Sequence, residues 1–189
     1  MDTLLSIGLG VGLAAACGFR IFVPPLAMTL AERVGYLELA EGFAWLDSER
    51  ALWILAAAMA LETLAYFIPF LDNALDTLAT PAATGAGILA SASVLGDVSP
   101  ALQWALAAVA GGGTAGLVQS GTVATRAASS TSTSGLGNFL IAAGEALLSA
   151  LTSLLALFAP LAALALAALL CFFAARALLR RWRTKTVRE

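Results

Sequence analysis

The chain has 189 residues, 60% of them hydrophobic and only 12% charged, with ten Lys and Arg, twelve Asp and Glu and no His. Soluble domains carry roughly 25% charged residues, and so few ionic side chains cannot solvate the surface of a folded chain of this length. A water-soluble globule is therefore excluded, and a lipid bilayer is the expected solvent and first partner. Cys17 and Cys171 lie in separate apolar stretches, which excludes a disulfide framework and leaves no soft-ligand metal site. Without His the usual Ser-His-Asp hydrolysis is excluded. No nucleotide or phosphate loop is present, so neither a cofactor nor a nucleic-acid partner is expected.

Uncharged stretches run from Thr3 to Phe19, Thr77 to Gly96, Val98 to Thr125 and Ala146 to Ala175, and about 20 apolar residues cross a hydrocarbon core. The first segment, Thr3 to about Val34, is too long for one straight span. Gly18-Phe19-Arg20 and Pro24-Pro25 interrupt it, so it reads as a broken helix or a re-entrant pair. The acidic start Met1-Asp2 argues against a cleaved signal. Gly35 to Arg50, with Glu38, Glu41, Asp47 and Glu49 among Tyr36, Phe43 and Trp45, is an amphipathic surface connector. The second segment, Ala51 to Phe70, holds Glu62 and ends at Pro69, before an expected acidic turn with Asp72 and Asp76. The third, Thr77 to Leu95, is rich in Ala and Ser and closes at Gly96–Pro100. The fourth starts at Ala101, passes Gly111, Gly112, Gly113, Gly116 and Gly121, and is expected to dissolve into the polar run Arg126 to Gly135 as a second broken segment. The fifth, Asn138 to Phe158, holds Glu145. The sixth, Leu161 to Leu179, follows through Ala159-Pro160 as a tight hairpin.

The fold class is thus all-α, a transmembrane bundle of about six spans. Arg176, Arg180, Arg181, Arg183, Lys185 and Arg188 mark the C-terminal tail as cytoplasmic. Six spans place the N-terminus and the Arg126 loop on the same side, in a bacterial inner membrane, with the connector outside. Shifting the chain by 103 residues lays Gly8 on Gly111, Gly10 on Gly113 and Gly18 on Gly121. This predicts two halves, 1–97 and 98–189, related as a three-plus-three inverted repeat with a broken or re-entrant first segment in each. Interrupted helices at matching places point to a transporter-type site near the midplane.

Glu62 lies about 12 Å from the Phe70 end of its span and Glu145 about 10 Å from Asn138, at ~1.5 Å per residue. A carboxylate at such depth costs at least ~2.5 kcal/mol on insertion scales, so it faces the bundle interior with a partner. Both are candidate proton or cation sites, and the plainer role is structural glue between helices. Arg20, beside the Gly18 break, could pair with either acid or hold an anionic group near freed backbone N–H donors. Arg126 opens a hydroxyl-rich run suited to a wet vestibule or to an ordinary cytoplasmic loop. Gln119, Ser120 and Thr122 flank Gly121 and would supply hydrogen bonds where the backbone is unwound. Asp72 and Asp76 could form a cation mouth. Close Gly- and Ala-rich faces would also allow a homodimer.

Gly18-Phe19-Arg20-Ile21-Phe22-Val23-Pro24-Pro25-Leu26, Arg126-Ala127-Ala128-Ser129-Ser130-Thr131 and Gly144-Glu145 together resemble a bacterial integral-membrane family of unknown function over nearly the whole chain. The resemblance implies a membrane protein and brings no substrate, cofactor or catalytic residue. The expected function is that of a small transporter or permease for an ion or a small anionic or lipid-linked solute. A membrane scaffold and an intramembrane lipid-modifying enzyme are the alternatives.

Overall fold

A computed structural model of the chain describes residues 2–65, 69–133 and 137–186, with side chains left out for 69–76 and 181–186, and all the regular structure among these is helical. The α-helices are α1 (Thr3–Cys17), α2 (Val23–Arg33), α3 (Glu49–Ala65), α4 (Pro69–Ser93), α5 (Pro100–Leu106), α6 (Gly113–Thr133), α7 (Asn138–Phe158) and α8 (Pro160–Thr186). A 3-10 turn, Glu41–Asp47, lies in the connector, and a π-helical stretch, Ala107–Gly112, joins α5 to α6. Among the described residues three helical stretches are long and apolar enough to cross a membrane: Pro100–Thr133, Asn138–Phe158 and Pro160–Arg180.

Helix α1 is the hub. Its sequence is apolar on every side, and every residue from Gly8 to Arg20 is buried, as expected of a helix enclosed by others. Its glycines set how closely those others approach. A Cβ on Gly12 would lie 2.7 Å from Ala163 Cβ and 2.8 Å from Ala156 Cβ, and one on Gly8 would lie 2.8 Å from the Pro160 carbonyl oxygen. The α7–α8 hairpin therefore rests directly on the α1 backbone, the small-residue packing used where no hydrophobic effect drives helices together.

The first segment breaks between Gly18 and Phe22. Gly18 N–H still bonds the carbonyls of Ala14 and Ala15, and Arg20 N–H bonds Ala16 O, after which the chain turns and α2 begins. Pro24 and Pro25 do not make the break. They sit in the first turn of α2, where a missing N–H leaves nothing unsatisfied. Helix α2 then runs back toward the start of α1. Beyond it the Glu32 carboxylate accepts the Leu39 N–H at 3.0 Å, Ala40 N–H bonds Ser93 O at 2.7 Å, and Tyr36 packs its ring 5.0 Å from that of Phe158. The starts of α1 and α8 and the ends of α2, α4 and α7 thus share one end of the bundle with the connector. Tyr36, Trp45, Trp53 and Trp104 are exposed at that end, the place of an interfacial aromatic belt. The α1–α2 pair is a helical hairpin with Arg20 at its bend.

This geometry revises several expectations. The start of α1 and the Arg180 end of α8 lie at opposite ends of the bundle, and α2 runs back alongside α1. The fourth segment does not break: the helix is continuous from Pro100 to Thr133, and its glycines serve close approach. A Cβ on Gly111 would lie 2.7 Å from Gly87 O, and one on Gly112 would lie 2.7 Å from Ile88 Cγ1. Gly113 faces open space and Gly121 sits within α6. Gly18 and Gly121, matched by the 103-residue shift, therefore have different backbones. Asp72 and Asp76 belong to helix α4 rather than to a turn, and their side chains lie outside the described residues. The 97/98 boundary falls in the turn between α4 and α5, and α1 packs on helices from both sides of it.

Candidate functional site

Four ionisable side chains from four segments meet at the hairpin tip. Arg126, on the inward face of α6, and Arg20, at the break, are each 1% exposed, and Glu145 on α7 is 4% exposed. Arg126 Nε donates to Glu145 Oε1 at 3.1 Å and its Nη2 donates to Oε2, a bidentate fork. Arg20 Nη2 lies 3.6 Å from Glu145 Oε2 and donates to the Ala142 carbonyl oxygen at 2.7 Å. One carboxylate thus lies between two guanidinium groups, well inside the bundle.

Glu62 completes the cluster from α3. Its Oε1 accepts the Ile21 N–H at 2.9 Å and its Oε2 accepts the Phe22 N–H at 3.2 Å, and both arginines act on it electrostatically. Phe22 is the N-cap of α2 and has no side-chain cap of its own. Since the first N–H groups of a helix lack intrahelical partners, a carboxylate forty residues away in sequence supplies the cap that the local sequence lacks. Among the described side chains the cluster holds two acids and two bases.

Helix α3 packs on α2 and on the 3-10 turn and leaves α4 largely untouched among the described residues. A cleft of about 410 Å³ opens between α3 and α4, lined by Ile21, Phe22, Leu61, Leu78 and Ala82, with Glu62 in its wall. On the other side of the tip a groove of about 460 Å³ between α6, α7 and α8 reaches Glu145 past Phe19, Thr122, Leu148 and Phe173. Both are walled almost wholly by apolar groups.

The structure therefore brings together Glu62, Glu145, Arg20 and Arg126, and corrects the setting of Arg126, which lies in a helix and not in a loop. The hydroxyls that follow it close on their own helix: Thr131 and Ser132 donate to Ala128 O, and Thr133 donates to Ser129 O. Ser134 lies outside the described residues. Gln119, Ser120 and Thr122 sit on regular helix, with Ser120 Oγ donating to Gly116 O and Thr122 Oγ1 to Gln119 O. Of these three, Thr122 shares a groove with Glu145.

Sequence reading missed the rest of the inward face of α7. Asn138, Ser149, Thr152 and Ser153 are buried beside Glu145, Asn138 Nδ2 donates to Ser130 Oγ at 2.9 Å, and Ser149 Oγ donates to Ala16 O at 2.9 Å. The signal was present as polar residues at Asn138, Glu145, Ser149 and Thr152, spaced by seven, four and three positions in an otherwise apolar helix.

A bundle of apolar helices, three of whose described stretches are long and apolar enough to cross a membrane, defines a polytopic helical membrane protein. The chain belongs to the family described as a domain of unknown function (DUF4126), matched over residues 7–180 and so including the hairpin and all four cluster residues. No curated protein and no solved structure matches it.

Proposed function

We propose that this protein is a small permease of a bacterial inner membrane, in which the Arg20–Arg126–Glu62–Glu145 cluster is the site that a coupling proton and a small anionic or lipid-linked solute visit. The observation that supports the reading is the hairpin itself. It breaks a helix at depth and places Arg20, with the Ile21 and Phe22 N–H groups, against two carboxylates. Irregular backbone inside a bundle is a hallmark of transporter sites, and buried ions there carry function by default because hydrocarbon penalises them.

The topology that goes with it has five crossings, by α3, α4, the α5–α6 helix, α7 and α8, plus the hairpin entering from the outer, aromatic-belted face. The basic tail of α8 is then cytoplasmic. Helices α3 and α4 run opposite to α7 and α8, which is the relation expected of an inverted repeat in the second and third elements of each half.

The test is proton-coupled flux in liposomes. Glu62→Gln and Glu145→Gln should each reduce it at least about tenfold, with the protein still inserted and monodisperse. Unchanged flux in both variants rejects the permease. A second reading, a protein acting on lipid, draws on the two apolar openings that reach Glu62 and Glu145. It predicts photocrosslinking of acyl-chain probes at Leu148 and Leu78 without any flux.

A further inference from the structure

At the other end of α1 from the charge cluster lies a cavity of about 710 Å³, walled by the start of α1, the end of α2, the connector and the turn after α4. Small-molecule sites span roughly 300–1,000 Å³. Glu32, Glu38 and Glu41 line it, and among the described residues no Lys or Arg does. None of these three acids is ion-paired among the described residues, so the cavity concentrates negative potential. A second observation comes from Ser6 of α1. It is 3% exposed, it lines the same cavity, and its hydroxyl bonds no described group. Other helical hydroxyls of the chain close on their own helix, as Ser120 does on Gly116 O and Ser153 on Ser149 O. Buried polar groups are as a rule hydrogen-bonded, so the Ser6 hydroxyl calls for a partner from outside the chain.

We propose that this cavity binds a primary ammonium group, presented by a free organic amine or by an ethanolamine lipid headgroup at the aromatic-belted end of the bundle. The site goes beyond the permease reading and uses none of the four cluster residues. An ammonium carries three N–H donors and no acceptor, and the cavity offers acceptors without a competing cation. Glu32 is already positioned: its Oε2 accepts the Leu39 N–H at 3.0 Å, which leaves Oε1 for the ligand. Ser6 Oγ is a second acceptor, and the exposed Glu38 and Glu41 add charge at the rim. Asp97 also lines the cavity but has an interaction of its own and is not counted as a ligand. Tyr36 adds an aromatic ring, which attracts cations, and Leu9 and Val94 give the attached carbon an apolar wall. Among the described residues no three acids stand close enough to hold a metal ion, which favours an organic cation.

The experiment titrates the full-length protein with ethylammonium chloride by calorimetry, in phosphatidylcholine nanodiscs, whose headgroup has no N–H. Tetramethylammonium chloride, a cation without N–H donors, is the control. Wild type should bind ethylammonium and bind tetramethylammonium at least about tenfold more weakly. Glu32→Gln keeps an oxygen for the Leu39 N–H and should weaken ethylammonium at least about tenfold, since a hydrogen bond to a charged group is lost. Ser6→Ala breaks no bond within the chain and should weaken it about threefold or more. Glu49→Gln, outside the cavity, should change nothing. Ethylammonium binding that weakens when phosphatidylethanolamine is added to the nanodisc assigns the site to the lipid headgroup; unchanged binding assigns it to a free amine. No binding by the wild type, equal binding of the two cations, or full affinity in both Glu32→Gln and Ser6→Ala overturns the proposal. None of these results bears on flux, so the permease stands or falls separately.

Discussion

Two segments deliver an arginine to Glu145, and they do so in opposite ways. The α1–α2 segment breaks at Gly18 and carries Arg20 on its bend, whereas the α5–α6 segment passes through more glycines and stays helical to Thr133, carrying Arg126 on a helix face. The lesson is that glycine did not decide where the backbone opens. In the first segment a proline pair ready to start a helix follows the glycine, and the Glu62 carboxylate of α3 caps that helix. In the second, no such partner is found among the described residues, and Gly111 and Gly112 instead admit Gly87 and Ile88 of α4 at close range.

The largest test of this contrast removes each arginine. Arg126→Gln strips the fork from a buried carboxylate and should destabilise the protein by about 3–5 kcal/mol, measured by thermal unfolding in detergent. Arg20→Gln, whose contact with the same carboxylate is longer, should cost less. A larger loss for Arg20→Gln would reverse the ranking of the two segments.

The matched glycines offer a smaller one. A Cβ on Gly18 would fall 2.6 Å from Val118 Cβ, while one on Gly121 meets Ala174 Cβ at 3.4 Å. Gly18→Ala should cost about 1–3 kcal/mol through overpacking. Gly121→Ala should be neutral or stabilise by up to about 1 kcal/mol, since alanine is the better helix former. Equal effects would mean that the two positions are equivalent after all.

The smallest effect is expected at the mouth of the hairpin. Partial burial raises the Glu32 carboxyl above its usual range, opposed by the Leu39 N–H and assisted by Asp47 and Glu38. A carboxyl raised in the folded state favours folding most when protonated. Its contribution is therefore full below the unfolded value and declines as pH rises through it toward the folded value. Glu32→Gln should flatten that decline, read as a weaker pH dependence of the unfolding temperature.

Much of this was legible in the residues. Low charge and long uncharged runs established helices in lipid, and α7 was bounded correctly at both ends because Gly137 and Pro160 frame a strongly apolar segment. The four cluster residues stood out singly, since each is an ion in or beside an apolar run. That they form one cluster was less legible, as was the side from which the first segment enters, because nothing local to Arg20 says whether the chain continues or turns back.

What the sequence determined by itself, then, is solvent and helical class: composition decides these through the penalty for exposing backbone and charge to hydrocarbon. The return of the hairpin, the pairing of Arg126 with Glu145 and the capping of α2 by Glu62 were decided only in three dimensions. Each satisfies a buried polar group with a partner far along the chain, and which partners come within reach depends on how closely the glycine-faced helices pack.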